Sequence, residues 1–337
     1  MFFILFAIFA TALCATWLLR KYALAASLMD TPNARSSHTV PTPRGGGVAI
    51  VATYLIAIPC LAAYGYLQWS WAWSLIVPGA IVALLGFLDD HGHIAARWRL
   101  LGHFTSAIGA LLFMNGLPAL KIFGTTMDFG IVGDVLAIMY LVWMLNLYNF
   151  MDGIDGIASI EAITACIGMC FLFWVCGVSD LIWTVAILGA AVLGFLCWNF
   201  PPAKIFMGDA GSGFLGVSLG ILSLQSAWVD PQLFWAWLIL LGVFVCDATF
   251  TLIRRLLRGD KVYEAHRSHG YQFASRHYGK HLPVTVGVLV INVFWLLPIA
   301  FLVAKLNMDG LMGLVIAYIP LAMLAVKFKS GALEHSD

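Results

Sequence analysis

Long apolar runs, separated by short polar segments, recur along the whole chain. A membrane-spanning helix needs about 20 mostly apolar residues to cross roughly 30 Å of hydrocarbon. The pattern therefore predicts a polytopic, all-α integral-membrane protein that forms a single domain over residues 1–337. It has no separate soluble domain and no internal repeat. Eleven transmembrane helices are predicted, at 2–19, 46–66, 72–88, 100–116, 132–150, 158–177, 181–198, 212–228, 233–253, 283–304 and 310–326.

Composition supports lipid as the main solvent of this chain. Hydrophobic residues make up 62% of it and charged residues 10%, whereas a soluble domain is about half apolar and a quarter charged. The formal net charge of +1 gives no indication of a nucleic-acid partner. The seven cysteines all fall within apolar runs, and their odd number does not favour a disulfide framework. They are predicted to be small core residues.

The distribution of lysine and arginine predicts the orientation. The first apolar run is followed by Arg20 and Lys21 and is preceded by no positive charge, which favours a first span with an outer N-terminus over a cleaved signal peptide. With that start, sixteen of the eighteen lysine and arginine residues fall on inner segments, and only Lys121 and Lys305 lie outside. The positive-inside rule then predicts a periplasmic N-terminus and a cytoplasmic C-terminus in a bacterial inner membrane. The outer loop at 117–131 is predicted to form a small hairpin.

Two polar clusters at the inner ends of spans contain carboxylates. Asp89 and Asp90 are adjacent in GFLDDHGH, where their mutual repulsion favours a bound cation or a role as base or nucleophile. The stretch 146–156, NLYNFMDGIDG, repeats an Asn or Asp every third residue. Such residues drift by about 60° per step on a helix and share one face only if the helix unwinds. Unwinding is expected near 153–156, and the exposed oxygens would suit a hard cation.

Two further clusters suit a phosphorylated ligand. The stretch 199–213 is glycine-rich at the start of a span, where backbone N–H groups favour anions. Within it Asp209 is a candidate metal ligand and Phe206 could stack on a base. The basic loop 254–281 contains His266-Arg267-Ser268-His269, whose donors suit a diphosphate, although its other arginines are explained by contact with anionic lipid. All four clusters fall on the predicted cytoplasmic face, which indicates Mg²⁺-dependent chemistry on a phosphorylated substrate.

The motifs DD at 89–90, NxxNxxDGxDG at 146–156 and AKIFMGDxGS at 203–212 resemble, in matching order, the polyprenyl-phosphate N-acetylhexosamine-1-phosphate transferases. The resemblance covers about residues 20–282. The segment PNARSSHTVPTPRGGG at 32–47 is similar to the first cytoplasmic loop of the O-antigen-initiating, WbpL-like branch. His-Arg-x-His replaces the run of histidines found in the peptidoglycan branch, which argues against a muramyl-pentapeptide substrate.

The resemblance implies an active site built from the inner loops 20–45, 89–99, 149–158, 199–212 and 254–282. Asp89, Asp90 and Arg99 would be catalytic and would handle the lipid phosphate, with Arg97 as the alternative to Arg99. Mg²⁺, or Mn²⁺ in its place, would be held by Asp209, Asn149 and Asp152. The implied substrate-binding residues are Asp155 on the uracil, Phe206 stacked on it, Asn199 and Gly208 at the nucleotide, and His266, Arg267 and His269 at the sugar and diphosphate.

The implied reaction moves N-acetylhexosamine 1-phosphate from a UDP-sugar to undecaprenyl phosphate, releases UMP and begins O-antigen or another cell-surface polysaccharide. The sugar would be a 6-deoxy-N-acetylhexosamine, such as FucNAc or QuiNAc, or GlcNAc. The transfer takes one step, or two through a phosphorylated Asp89 or Asp90. The other expected partners are membrane lipid and a second copy of the chain in a homodimer. The alternative function is a secondary transporter, in which carboxylates more often lie near the midplane between two related halves.

Overall fold

The computed structural model describes residues 2–32, 37, 38, 40–92, 94–261 and 266–333. Within these residues the chain is nearly all helical. The helices are α1 Phe2–Ala25, α2 Val48–Ala63, α3 Trp69–Gly92, α4 Ala96–Met114, α5 Gly130–Met151, α6 Ile157–Cys176, α7 Ile182–Asn199, α8 Asp209–Val229, α9 Pro231–Leu240, α10 Gly242–Arg258, α11 Gly270–Tyr278, α12 Leu282–Ile291, α13 Leu297–Leu306 and α14 Gly310–Lys327. The antiparallel strand pairs are β1 Met29–Asp30 with β2 Thr42–Pro43, and β3 Leu120–Ile122 with β4 Thr125–Met127.

The helices have the lengths and composition of a multi-pass membrane protein. Among the described residues, eight helices are long and apolar enough to cross a membrane, and α9 with α10 makes a ninth if the bent pair counts as one span. All eleven predicted spans coincide with helices, but α2 has only 16 residues and α4 does not meet the same criteria. The count of eleven and the orientation therefore stay predictions. The predicted outer hairpin is present as β3–β4.

The span predicted at 233–253 is not one straight helix, because α9 and α10 meet at an angle of 72°. Two side chains from other helices satisfy the backbone groups that the break leaves unpaired. The Tyr318 hydroxyl donates to the carbonyl of Leu238 at 2.7 Å, and the Glu161 carboxyl accepts from the N–H of Phe244 at 3.4 Å. The span predicted at 283–304 is also irregular, since a π-helical turn at Asn292–Leu296 joins α12 to α13.

Helix α8 lies at the centre of the molecule and is buried from Ala210 to Ala227. It packs against α3 and α5. Glycine allows the closest approaches: a Cβ at Gly86 of α3 would lie 2.5 Å from the backbone nitrogen of Ala210, and one at Gly216 would lie 2.5 Å from the carbonyl oxygen of Met144 in α5. These contacts bring the C-terminal ends of α3 and α5 to the N-terminus of α8, where the polar motifs lie.

Candidate active site

The helix unwinds between α5 and α6, as the spacing of the polar residues predicts. Residues 152–156 form a turn, and Gly156 has a φ of +75°. Asn199, at the end of α7, fixes this turn, because its Oδ1 accepts from the N–H of Gly156 at 3.0 Å. Its Nδ2 donates to the carbonyl of Ile205 at 3.0 Å. Asn199 is therefore a buried brace between two loops, with both of its polar groups already hydrogen-bonded.

Asp90 holds the start of α8. Its carboxylate accepts from the backbone N–H groups of Asp209, at 3.2 Å, and Ala210, at 3.4 Å. A carboxylate is favoured at this position by the unpaired N–H groups and the dipole of the helix. Gly208, just before α8, has a φ of +78°, and a Cβ there would lie 2.7 Å from Asp90 Oδ2. The turn into α8 thus depends on a glycine at this position.

Asp89 engages a different set of partners. Its Oδ1 accepts from the N–H of Ile94 at 2.7 Å, and its Oδ2 lies 2.5 Å from a guanidinium nitrogen of Arg99. Arg97, the alternative basic residue, has its guanidinium 5.7 Å from the ring of Trp98. The adjacent carboxylates therefore diverge: each has its own arginine instead of sharing one cation.

Arg44 is the most important polar residue that the sequence motifs did not single out. Its Nη2 lies 2.8 Å from Asp90 Oδ1 and 2.7 Å from Asp209 Oδ1. Burial lowers the pKa of the guanidinium, but these two carboxylates raise it, and the net shift is upward. The glycines that follow Arg44 are the available sequence signal. A Cβ at Gly47 would lie 2.5 Å from the Cα of Gly211, so the segment can lie against the start of α8 only without side chains.

A polar cavity of about 320 Å³ opens between these loops. Seven of the predicted site residues line it, together with residues of the predicted inner loops 20–45 and 254–282 that were not named individually. The predicted residues are Asn149, Asp152, Asp155, Asn199, Phe206, Gly208 and Asp209. The additional ones include Asp30, Ser37, His38, Arg44, Gln272 and His281.

A second, larger cavity of about 550 Å³ meets the first at Asn149 and Asp209, which line both. Most of its lining is apolar and comes from α3, α4, α5 and α10. The apolar residues are Val82, Leu85, Leu100, Met139, Val142, Trp143, Leu145, Phe150 and Leu252. Its polar lining includes Asp89, Arg99, His103, Asn146, His266 and His269.

The side chains of the His-Arg-x-His motif line two different cavities. His266 and His269 face the apolar cavity, whereas Arg267 lines a third cavity of about 200 Å³ together with Arg276 and Lys280. Residues 266–269 precede α11 without helical structure, and side chains along such a segment point to different sides. The structure thus places the three side chains at two cavities, and their predicted role at the sugar and diphosphate stays a prediction.

Burial lowers the pKa of both histidines of this motif. Burial, His269 and Arg255 lower the pKa of His266 to about 3. Burial is also the main cause that lowers the pKa of His269, which is 3% exposed. At the start of α11 the His269 side chain accepts from the backbone N–H of Gln272, and the Gln272 side chain accepts from the backbone N–H of His269 at 3.2 Å.

Asp155 is already engaged by protein groups. Its Oδ2 accepts from the N–H of Ala203 at 3.0 Å, and its Oδ1 lies 3.2 Å from Nδ1 of His281. Burial lowers the pKa of His281, but the hydrogen bond and the charge of Asp155 raise it above the usual value. His281 Nε2 also lies 3.2 Å from the carbonyl oxygen of Ser37. His281 lies in the predicted inner loop 254–282, without an individual role assigned to it, and it connects the first inner loop to the 152–156 turn. Part of that loop, residues 33–36 and 39, lies outside the described residues.

The predicted metal ligands supply oxygen donors to the polar cavity. Asp209 and Asp152 contribute carboxylates, and Asn149 contributes an amide whose Nδ2 donates to Ser212 Oγ at 3.0 Å. Burial and the charge of Asp209 raise the pKa of Asp152. Among the described residues, no three His, Cys, Asp or Glu side chains form a cluster that could hold a metal. Oxygen donors suit Mg²⁺, but the ion would have to share Asp209 with Arg44.

The known proteins that this chain resembles are transferases. Residues 72–227 match the model of glycosyl transferase family 4. A Bacillus subtilis protein, named a probable undecaprenyl-phosphate N-acetylglucosaminyl 1-phosphate transferase, is 30% identical over 277 residues, which are 77% of this chain and 73% of the relative. A Thermotoga maritima undecaprenyl-phosphate alpha-N-acetylglucosaminyl 1-phosphate transferase is 28% identical over 79% of both chains. A phospho-N-acetylmuramoyl-pentapeptide-transferase of Bacillus licheniformis is 32% identical over 54% of this chain and 61% of its own.

Proposed function

This chain belongs to glycosyl transferase family 4, and we propose that it transfers an N-acetylhexosamine 1-phosphate from a UDP-sugar to undecaprenyl phosphate and releases UMP. One observation carries the proposal: a polar cavity and an apolar cavity meet at Asn149 and Asp209. A reaction between a water-soluble nucleotide sugar and a lipid phosphate needs two such compartments with one shared point. The names of the relatives supply the polyprenyl phosphate acceptor.

The donor would occupy the polar cavity. Arg44 would face the diphosphate, since guanidinium groups pair well with phosphate oxygens. Phe206 is a partly buried wall of the cavity, with its ring centroid 4.8 Å from that of His38, and would stack on the uracil. Because the Asp155 carboxylate is paired with His281, recognition of the base would involve this pair and not Asp155 alone.

The acceptor would occupy the apolar cavity, with its isoprenoid chain along α3, α4, α5 and α10. Its phosphate would lie near Arg99, which Asp89 orients. His266 and His269, whose pKa values are lowered by burial, would offer hydrogen bonds at the same end. An oxygen of the lipid phosphate would attack the phosphorus bonded to the sugar, and the bond from that phosphorus to UMP would break. In the two-step version Asp89 would attack first, since it lines the cavity, whereas Asp90 caps α8.

We further propose Mg²⁺, with Mn²⁺ as the alternative, held by Asp209, Asp152 and Asn149. When bound, the ion would neutralise the charge that develops on the diphosphate and on the departing UMP. The protein groups keep their own tasks: Arg44 binds the diphosphate, Arg99 the lipid phosphate, and Asn199 holds the loops in register. These residues suit Mg²⁺ by the type of ligand atom they offer, because two carboxylates and an amide face the same polar cavity.

The sugar is a separate part of the proposal. Two relatives that match along most of the chain are named for GlcNAc, and another, which matches 81% of it, is named for the phospho-N-acetylmuramoyl pentapeptide. The segment 32–47 favours the O-antigen-initiating branch, whose sugar would be a 6-deoxy-N-acetylhexosamine, and the His-Arg-x-His motif argues against the pentapeptide. A secondary transporter is no longer favoured, because the family consists of transferases and the carboxylates are paired with arginines at the cavity junction.

The test is UMP release by the purified protein with undecaprenyl phosphate and Mg²⁺, measured in parallel with UDP-GlcNAc, UDP-FucNAc and UDP-QuiNAc. Lipid-dependent UMP release from one donor would establish the reaction, and the ranking of kcat/KM would name the sugar. The Asp209→Asn variant should lose at least about 100-fold in kcat, as expected when a group that stabilises the transition state is removed. Absence of UMP with every donor, from protein shown to be folded, would contradict the proposal.

A further inference from the structure

Asp247 lies on α10, outside every motif of the sequence, and its carboxylate is buried, with 9% of the residue exposed. Its Oδ1 accepts from the N–H of Gly270 at 2.8 Å, and its Oδ2 accepts from the N–H of Tyr271 at 2.9 Å. These are the first two N–H groups of α11, which have no partner within their own helix. A side chain from another helix therefore fixes the start of α11, immediately after His269.

The C-terminal segment completes this anchor. Ser330 is fully buried and donates its hydroxyl to Asp247 Oδ1 at 2.8 Å. The next residue, Gly331, donates its N–H to the carbonyl of Ser268 at 2.6 Å, within the histidine motif. Thr251, one turn further along α10, adds a longer contact of 3.4 Å to Oδ1. Four donors thus converge on one carboxylate, and only a group with no donor of its own can satisfy them all.

The other side of the same segment contacts the end of α5. The Tyr271 hydroxyl donates to the carbonyl of Phe150 at 2.9 Å. The ring of His269 stacks on that of Phe150, with the two planes 27° apart and the centroids separated by 6.3 Å. His269 is thereby held between α5, which carries Asn149, and the anchor on α10. His269 also forms a capping box with Gln272 at the start of α11, so loss of the anchor would weaken its support without removing it.

We propose that Asp247 is a positioning residue for the transfer: through the backbone of Gly270 and Tyr271, and together with Ser330, it holds His266 and His269 against the apolar cavity. The inference rests on the proposed function, in which these histidines face the lipid phosphate. Asp247 lines neither the polar nor the apolar cavity among the described residues, so its effect passes through the backbone. The same contacts give the C-terminal segment a role in the site, since Ser330 donates to Asp247 and Gly331 donates to the carbonyl of Ser268 within the histidine motif.

The decisive variant is Asp247→Asn, which keeps the shape of the side chain but places an NH₂ group against backbone N–H donors. We expect kcat/KM for undecaprenyl phosphate to fall by about 10- to 100-fold, since a shift of about 1 Å in a reacting group can cost up to 100-fold. The KM for the UDP-sugar should change by less than about 3-fold, because His266 and His269 line the apolar cavity, whereas α11 contributes only the side chain of Gln272 to the described lining of the polar cavity. Hydrogen exchange at Gly270 and Tyr271 should become faster.

The matched control is Asp134→Asn. Asp134 also accepts from a distant backbone N–H, that of Leu117 at 2.8 Å, but it lies at the other end of α5. This control should leave the kinetics for both substrates unchanged. If Asp247→Asn does not fold, Ser330→Ala removes one neutral donor and should shift the lipid kcat/KM in the same direction, by about 2- to 5-fold for one hydrogen bond.

Wild-type kcat/KM for the lipid in a folded Asp247→Asn protein would overturn the inference, as would an equal loss for both substrates. If the wild-type protein releases no UMP, the proposed transfer itself fails. Hydrogen exchange then decides separately whether Asp247 anchors the segment: faster exchange at Gly270 and Tyr271 supports the anchor, and unchanged exchange rules it out.

Discussion

At the scale of single residues, the site is organised by the way its carboxylates are paired. Asp89 and Asp90 are neighbours in sequence, but one contacts Arg99 and the other contacts Arg44. Asp209 lies between the two arginines, 2.7 Å from Arg44 and 3.9 Å from Arg99. Removing one partner of such a pair leaves an uncompensated, partly buried charge, which costs more than the pair contributes. Substitutions of the arginines should therefore have large effects.

We expect Arg44→Ala to lower turnover by about 10-fold or more, because hydrogen bonds between charged groups contribute about 1.5–3 kcal/mol. If Mg²⁺ shares Asp209 with Arg44, the concentration of Mg²⁺ that gives half-maximal activity should fall, since the competing cation is gone. UMP release over a series of Mg²⁺ concentrations measures both effects. The control is Lys21→Ala, whose ammonium lies over the ring of Trp17. An unchanged or increased Mg²⁺ requirement would exclude the shared site.

We expect Gly208→Ala to abolish most of the activity. The φ of +78° with an extended ψ is accessible to almost no residue but glycine and costs about 1–3 kcal/mol otherwise. The added Cβ would also push against Asp90 Oδ2 and displace the carboxylate that caps α8. UMP release and thermal denaturation in detergent would show loss of both activity and stability. Gly109→Ala is the matched control, because a Cβ there meets nothing within 4 Å. Equal behaviour of the two variants would contradict the expectation.

Most residues that line the polar cavity were predictable from the sequence. The residues that link its loops through ion pairs were not. The motifs indicated Asn149, Asp152 and Asp209 because acidic and amide side chains at span ends are costly without a function. Arg44 lies in the predicted inner loop 20–45, but no role was assigned to it, since its partners Asp90 and Asp209 are distant in sequence and the pairing is decided by tertiary packing. Periodicity carries no signal for contacts of this kind.

At the scale of elements, the break between α9 and α10 was also not predictable from the sequence. The apolar run from 233 to 253 contains no proline and no motif that predicts a break. At the bend, where α10 begins with Gly242, backbone groups are hydrogen-bonded by Tyr318 and Glu161, which lie on other helices. In contrast, the unwinding after α5 was predictable, because glycines accompany the polar residues there. The break matters for the site, because it sets the direction of α10, which carries Asp247.

We expect Glu161→Gln to destabilise the protein. The Glu161 carboxyl accepts from the N–H of Phe244 and, at 2.6 Å, from Nδ2 of Asn292 at the start of the π-helical turn. The amide of glutamine would direct its NH₂ group at one of these donors, which should cost about 1–3 kcal/mol. Thermal denaturation in detergent measures the loss. Asp180→Asn, the same type of change at an exposed position, should have no effect; a wild-type melting temperature for Glu161→Gln would contradict the prediction.

At the scale of the whole molecule, the two cavities explain why the enzyme would need a bundle of this kind. Helices α3, α5 and α8 converge at glycines and bring Asp90, Asn149 and Asp209 to the junction. The apolar cavity then extends between α3, α4, α5 and α10, which gives a lipid chain a path to the same junction. Sequence predicted that the polar motifs share one face of the membrane, but not that they divide between two cavities. That division depends on packing between helices that are far apart in sequence.

The orientation of the whole bundle is the remaining prediction, and it decides whether the polar cavity can meet a nucleotide sugar made in the cytoplasm. Sixteen of the eighteen lysine and arginine residues lie on the segments predicted to be inner, which favours a cytoplasmic cavity. A green fluorescent protein fused to the C-terminus should fluoresce, and alkaline phosphatase at the same point should be inactive. Alkaline phosphatase inserted at Gly124, in the turn of β3–β4 on the opposite side, should be active. The reverse pattern would place the cavity in the periplasm, away from UDP-sugars, and would contradict the orientation and the proposed donor together.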